Sequence, residues 1–249
     1  MKKMIAILLT LVMILGMLAG CGKNTSGTNN TTGHNHLTEE ELAARIVGSL
    51  VVTANASVTI SYDAAGYCMR VVGNDPEGID LLASYDDVVG VSCSEVITRL
   101  IRDSSARSMG DLHYIMIKDV KGSASTEKFW SGITTIATAV RDNIDTNIKL
   151  IMVTQAMQND AGYVDLKTAK ALVEGYLNVS KLDSIDGTSA PVEGFYSFRV
   201  SHGGVEEELH LNALTGRAAD GILSDFEVDP DLITDPKEEQ QAATAPTQP

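Results

Sequence analysis

The sequence predicts an α+β fold of two small domains, each an antiparallel sheet with packed helices, after an export signal and a flexible tether. Alternating apolar runs, typical of strands, are separated by apolar stripes at helical spacing. A turn cluster at 159–162 divides these runs into two groups, which indicates domains at 37–158 and 163–230. Residues 234–249 have no apolar period, so we expect a disordered tail there.

The first 20 residues have the composition of an export signal. Lys2 and Lys3 form a positive start, and an uncharged run from 4 to 18 follows. Two small residues then lead into Cys21. This segment is too short and wrongly flanked for a stable membrane span, so it predicts a signal peptide.

The end of this segment, Leu18, Ala19, Gly20 and Cys21, resembles the lipobox of bacterial lipoproteins. The resemblance implies that Cys21 becomes the mature N-terminus and carries diacylglycerol, which places the protein on the extracytoplasmic face of the cell membrane. Two or more acyl chains suffice for stable anchoring. Residues 21–36 are rich in Gly, Asn, Thr and Ser, which predicts a flexible linker after the lipid anchor.

The charge restricts the partners. The chain has a formal net charge of −14, and Lys2 and Lys3 belong to the signal, so the remainder is more acidic still. Such a surface repels nucleic acid and anionic headgroups, which excludes a nucleic-acid partner and limits membrane contact to the lipid. Cys68 and Cys93 are compatible either with one disulfide or with two buried thiols.

Local signals define the first domain. Thr38 and Glu41 form a capping box before a short helix to about residue 46. Alternation over 57–62 predicts a strand, and the turn 63–66 returns the chain as a partner strand to Val72. Residues 74–78 predict a further turn.

The rest of this domain alternates helices and strands. Ser92 and Glu95 form a second capping box before an apolar stripe that predicts a helix. Residues 112–118 alternate as a strand, Ser125 is positioned to cap a long amphipathic helix, and 149–154 predicts another strand.

Residues 52–60, the turn 63–66 and the segment 71–78 resemble the extracytoplasmic middle domain of RsgI-type anti-sigma factors. In that family an Asn–Pro bond is the site of self-cleavage, and the matching bond here is Asn55–Ala56. Proline restricts the residue before it and removes an amide proton, whereas alanine does neither. The departure argues against self-cleavage, and the chain shows no cytoplasmic sigma-binding segment.

The second domain has a different pattern. Asp165 is positioned to cap a helix to about residue 177, and a polar loop spans 178–191. Alternating strands at 196–200 and 205–211 flank a Gly-Gly turn, and a Thr-Gly turn follows. This order resembles a PepSY domain, a module of protease propeptides and exported lipoproteins, which implies binding or restraint of an envelope peptidase.

No nucleophile elbow, phosphate-binding glycine loop, HExxH pair or CxxC occurs in the sequence. Glu206, Glu208 and His210 share a strand face, but a solvated polar face explains them better than a metal site. We therefore expect a binding protein with no catalytic residues, no cofactor and no metal. The alternatives are a self-cleaving sensor module, or a lipoprotein that binds a solute, a cation or a glycan.

Overall fold

The computed structural model describes residues 37–86, 88–109 and 111–219. The mixture of helices and two separate sheets confirms the predicted α+β class. In chain order the elements are α1 (Glu39–Ala43), β1 (Gly48–Ala54), β2 (Ala56–Tyr62), β3 (Cys68–Gly73), α2 (Pro76–Leu82), α3 (Cys93–Arg107), β4 (Tyr114–Asp119), α4 (Glu127–Ile144), β5 (Lys149–Val153), a 3-10 turn (Gln155–Met157), α5 (Leu166–Tyr176), β6 (Ser184–Gly187), β7 (Phe195–His202), β8 (Val205–Asn212) and β9 (Ala218–Ala219).

The first sheet has five strands in the order β3-β2-β1-β4-β5. The pairs β3–β2, β2–β1 and β1–β4 are antiparallel, as predicted. The pair β4–β5 is parallel, so the prediction of a purely antiparallel sheet is wrong at this pair. The cause is the connection: α4 returns the chain to the end of the sheet where β4 began, and a helical crossover of this kind joins parallel strands.

Two hydrophobic cores lie on opposite faces of this sheet. One face carries residues such as Leu50, Ile60 and Ile115, which pack against α3 and α4. Alternate residues, such as Val51 and Met116, enter the second core with residues of α5 and the second sheet. Side chains alternate between the faces of a strand, so β1 and β4 contribute to both cores.

The second sheet has four antiparallel strands in the order β6-β7-β8-β9. The predicted β7–β8 hairpin is confirmed, with Gly203 and Gly204 at φ of 57° and 81° forming its two-residue turn. Strand β6 lies inside the predicted loop 178–191. Its four residues are mostly exposed, and only Ile185 is apolar, so it has no strand pattern that sequence alone could reveal.

Two of the predicted N-terminal helix caps are confirmed, and one is wrong. The Thr38 capping box is confirmed, because Thr38 N donates to Glu41 Oε2 at 2.8 Å and Glu41 N donates to Thr38 Oγ1 at 3.2 Å. Asp165 caps α5 by accepting a 2.7 Å hydrogen bond from Thr168 N. The assignment of Ser125 as the cap of α4 is wrong, since Thr126 accepts the hydrogen bond from Phe129 N.

Candidate functional site

The predicted lipid-attachment residue Cys21 and the residues Leu18, Ala19 and Gly20 lie outside the described residues. The predicted tail 234–249 lies outside them too. Lipidation therefore stays a prediction from the sequence. Among the described helices, none is long and apolar enough to cross a membrane.

The bond Asn55–Ala56 lies at the tip of the β1–β2 hairpin. Ala54 pairs directly with Ala56, so Asn55 alone makes the turn. Its φ is 65°, a left-handed conformation that asparagine tolerates better than most residues with a side chain. Asn55 is exposed whereas Ala56 is buried, so the peptide bond between them lies at the edge of the packed structure.

A buried carboxylate, that of Asp75, holds this hairpin next to its tip. Ser57 N donates to both carboxylate oxygens of Asp75 at 3.1 and 3.2 Å, and Gly78 N donates to Asp75 Oδ1 at 2.6 Å. Arg217 Nη1 lies 2.6 Å from Asp75 Oδ2. Burial raises the pKa of Asp75, and the Arg217 guanidinium and the two backbone N–H donors act in the opposite direction.

This network positions the hairpin, because Asp75 links β2, α2 and Arg217. The carboxylate of Asp75 accepts hydrogen bonds from the two N–H groups and pairs with Arg217. These N–H donors and the guanidinium stabilise the charged carboxylate and fix its position between β2 and α2. The arrangement therefore accounts for a stable hairpin.

The second sheet presents a polar outer face, defined here as the outward side chains of β6, β7 and β8. The inward side chains of the same strands fill the second core. The outer face comprises Ser184, Asp186, Ser197, Arg199, Ser201, Glu206, Glu208 and His210. Three cross-strand positions align Asp186, Arg199 and Glu208, so one cation lies between two carboxylates on neighbouring strands.

Hydrogen bonds order parts of this face. Ser197 Oγ and His210 Nδ1 are 3.0 Å apart across β7 and β8. At the hairpin end, His202 Nε2 lies 3.2 Å from Glu207 Oε1. Strand β6 is paired with β7 on one side and forms the outer edge of the sheet. An acidic face beside a short edge strand can accept a protein partner through charged contacts and main-chain hydrogen bonds.

Sequence reasoning missed a buried network at the carboxyl ends of β4 and β5. Ser125 Oγ donates to Asp119 Oδ1 at 2.7 Å and is also hydrogen-bonded to the Tyr62 hydroxyl, which explains why it does not cap α4. Gln155 Nε2 donates to Asp119 Oδ2 at 2.8 Å. Burial raises the pKa of Asp119, and the hydrogen bonds from Ser125 and Gln155 oppose that shift. The residues of this network come from three separate segments of the chain, so no local sequence spacing could predict it.

Three residues of β8 on the outer face have side chains that can ligate a metal ion. Glu206, Glu208 and His210 do lie on one side of β8, as the alternation predicts. Within residues 37–86, 88–109 and 111–219, no group of three or more His, Cys, Asp or Glu side chains is arranged to hold a metal ion.

Comparison with models of known protein families and with curated proteins found no match to this chain.

Proposed function

We propose that this protein is a lipid-anchored extracytoplasmic binding protein whose second domain engages another envelope protein, with a peptidase as the leading candidate. The observation that carries the proposal is the polar outer face of the second sheet. That face is exposed on the side opposite the second core and carries charges of both signs. The order of helix, hairpin strands and Thr-Gly turn, which resembles a PepSY domain, supports the same conclusion.

Charge is the basis of the expected recognition. Asp186, Glu206 and Glu208 are exposed acidic groups, and Arg199 is the exposed cation among them. Exposed charges of this kind control association rate and partner choice more than they control total affinity. A partner with a complementary, mainly basic surface fits this face better than an acidic one.

A charge-reversal pull-down tests the proposal. The bait is the chain from Cys21 onward, either as prepared or as the double variant Arg199→Glu/Glu208→Lys, and it is incubated with envelope extract. Arg102→Glu is the control, because Arg102 is also an exposed arginine but lies on α3, a helix that packs on the other core. We expect one species to be retained by the original chain and by Arg102→Glu, and lost with the double variant. Identical retention by all three baits contradicts the proposal.

A peptidase assay identifies the class of partner. If the retained protein is a peptidase, adding the chain should change its activity on a peptide substrate in proportion to occupancy. The double variant should leave that activity unchanged. A retained protein with no peptidase activity supports envelope-protein binding and removes the peptidase assignment.

A second candidate function is self-cleavage at Asn55–Ala56, which one observation favours. Asn55 is a non-glycine residue at positive φ in an exposed one-residue turn, and such strained positions cluster at functional sites. Strands β1 and β2 pair along their full length, so a cleaved chain would stay assembled. Denaturing mass spectrometry after days at neutral pH is therefore required. A single intact species excludes the function, and Asn55→Gly is the control for a clip that depends on the Asn side chain.

A further inference from the structure

Lys118 is a buried amine at the penultimate position of β4. It is 1% exposed, and its cross-strand neighbours Val51 and Val153 are fully buried members of the second core. Its Nζ atom donates one hydrogen bond, to the carbonyl oxygen of Gly162 at 2.8 Å. A lysine in this position loses its hydration without gaining a carboxylate, which is costly for the charged form.

Asp119 and Lys121, which follow Lys118 in the chain, and Asp160 of the turn 159–162 are engaged with other groups. Asp119, the next residue, accepts hydrogen bonds from Ser125 and Gln155. Lys121 and Asp160 pair with each other at the surface. Burial alone lowers the pKa of Lys118 to about 7, so a large part of this amine is neutral at neutral pH. Neutral lysines in apolar surroundings are the ones that serve as nucleophiles toward carbonyl compounds.

The turn 159–162 covers this amine. Asn159 Oδ1 accepts hydrogen bonds from Ala161 N and Tyr163 N, both at 3.0 Å, and these bonds hold the turn closed. Gly162 has φ of 74°, and a Cβ placed there would have no neighbour nearer than 3.9 Å. The cover is thus a surface turn in which the Cβ position of Gly162 has no close neighbour.

An unpartnered acceptor lies beside the same turn. Gln158 Oε1 is buried without a hydrogen-bond partner, although Gln158 Nε2 donates to Asp119 O at 2.6 Å and to Thr154 O at 3.1 Å. That oxygen is the atom found 3.9 Å from the Cβ position of Gly162. A buried acceptor without a donor indicates a site that a polar molecule would complete.

We propose that Lys118 is a covalent attachment site for a small aldehyde or ketone, held as a Schiff base beneath the turn 159–162. The nitrogen lone pair of the neutral amine attacks the carbonyl carbon, and one amine proton ends on the carbonyl oxygen. The resulting carbinolamine hydroxyl is a donor suited to Gln158 Oε1. Loss of that hydroxyl with the second amine proton as water leaves a neutral imine, which is compatible with the surrounding valines. No oxidant or reductant is consumed.

Reductive trapping tests this site. The full chain is incubated at pH 7 with propionaldehyde and cyanoborohydride, and the modified lysines are mapped by peptide mass spectrometry. At pH 7 about half of an amine with the pKa of Lys118 is neutral, against less than about 0.1% of an ordinary lysine. Lys121, with a side chain 38% exposed, and Lys167 on the surface of α5 are the internal references. We expect Lys118 to be modified at least about tenfold faster than either, with a smaller preference at pH 9.

The variant Asn159→Ala tests access. It removes the acceptor that closes the turn, so modification of Lys118 should become several-fold faster while that of Lys167 is unchanged. Iodoacetamide labelling of buried Cys93 in the same samples reports global unfolding. The proposal is overturned if Lys118 reacts no faster than Lys121 in both proteins, or if its reaction keeps pace with that of Cys93.

Discussion

Arg217 and Asp75 form a buried ion pair that joins the end of the chain's second sheet to the first. Arg217 Nη1 lies 2.6 Å from Asp75 Oδ2, and the two side chains are 17% and 3% exposed. Asp75 caps α2, and Arg217 directly precedes β9. The contact is reinforced nearby by Thr53 Oγ1, which donates to Thr215 O at 2.5 Å. The two predicted domains therefore share both a core and a polar junction.

We expect Arg217→Ala to lower the free energy of unfolding by about 3 kcal/mol, because it leaves the Asp75 carboxylate buried without its cation. Urea unfolding followed by circular dichroism measures the change. Arg99→Ala is the control, since Arg99 pairs with Glu95 on the exposed surface of α3. That variant should cost less than about 0.5 kcal/mol. Equal losses in the two variants would show that the Arg217 junction contributes no more than a surface pair.

Lys118 should make stability depend on pH. Burial lowers its pKa to about 7 in the folded chain, against about 10.4 when unfolded. Above pH 7 the unfolded chain binds more protons at this position than the folded chain, so the free energy of unfolding rises with pH. Burial raises the pKa of Cys93 to about 12, which acts in the opposite direction above about pH 8.5. Between about pH 7 and 8.5, therefore, the contribution of Lys118 can be measured without that of Cys93.

Lys118→Met should reduce the slope of the free energy of unfolding against pH by up to about 1.4 kcal/mol per pH unit. It should raise stability most near pH 7, where the buried lysine is most often charged. Urea titrations of both proteins at three pH values measure the two slopes. Lys167→Met replaces an exposed lysine on α5 and should keep the original slope. A slope that survives Lys118→Met is incompatible with a neutral amine at position 118.

The sequence is compatible with either a Cys68–Cys93 disulfide or two buried thiols. In the structure both residues are buried thiols. A thiol with the raised pKa of Cys93 is almost wholly protonated at pH 8, and the thiolate is the reactive form. Cys68 is fully buried. In the Cys21→Ser variant, we therefore expect Cys93, because it is protonated, and Cys68, because it is inaccessible, to resist iodoacetamide at pH 8 and to react completely in denaturant without a reducing agent. Failure to react in denaturant would demonstrate a disulfide instead.

The sequence was most informative where a signal is local. The capping groups of Thr38 and Asp165 and the Gly-Gly hairpin needed only three or four neighbouring residues, and all three are present in the structure. Strand β1 was not predicted because its apolar residues Leu50, Val51 and Val52 are consecutive and face both cores, so the alternation that indicates a strand is missing. Residues 74–78 predicted a turn, whereas Asp75 and Pro76 start α2.

Features that depend on distant segments could not be predicted in this way. Alternation correctly indicates that Lys118 lies on one face of a strand, but it cannot reveal that the turn 159–162 and the second core cover that face. The same holds for Ser125, whose contact with Asp119 competes with helix capping. The outer face of the second sheet was accessible to sequence reasoning because a hairpin fixes its own register.

Gly216 provides the sharpest test of how the two sheets meet. It has φ of 69°, and a Cβ added there would lie 2.3 Å from Met116 Sδ and 3.3 Å from Leu172 Cδ1. Gly216→Ala combines an unfavourable backbone conformation with overpacking of the second core, so we expect the free energy of unfolding to fall by about 3 kcal/mol.

Gly203→Ala is the matched control, because Gly203 has φ of 57° with no atom within 4 Å of the added Cβ. It should cost only about 1 kcal/mol, the backbone part alone. Thermal or urea unfolding of the two variants separates these contributions, and a Gly216→Ala loss no larger than that of Gly203→Ala would mean that the junction around Met116 is loosely packed.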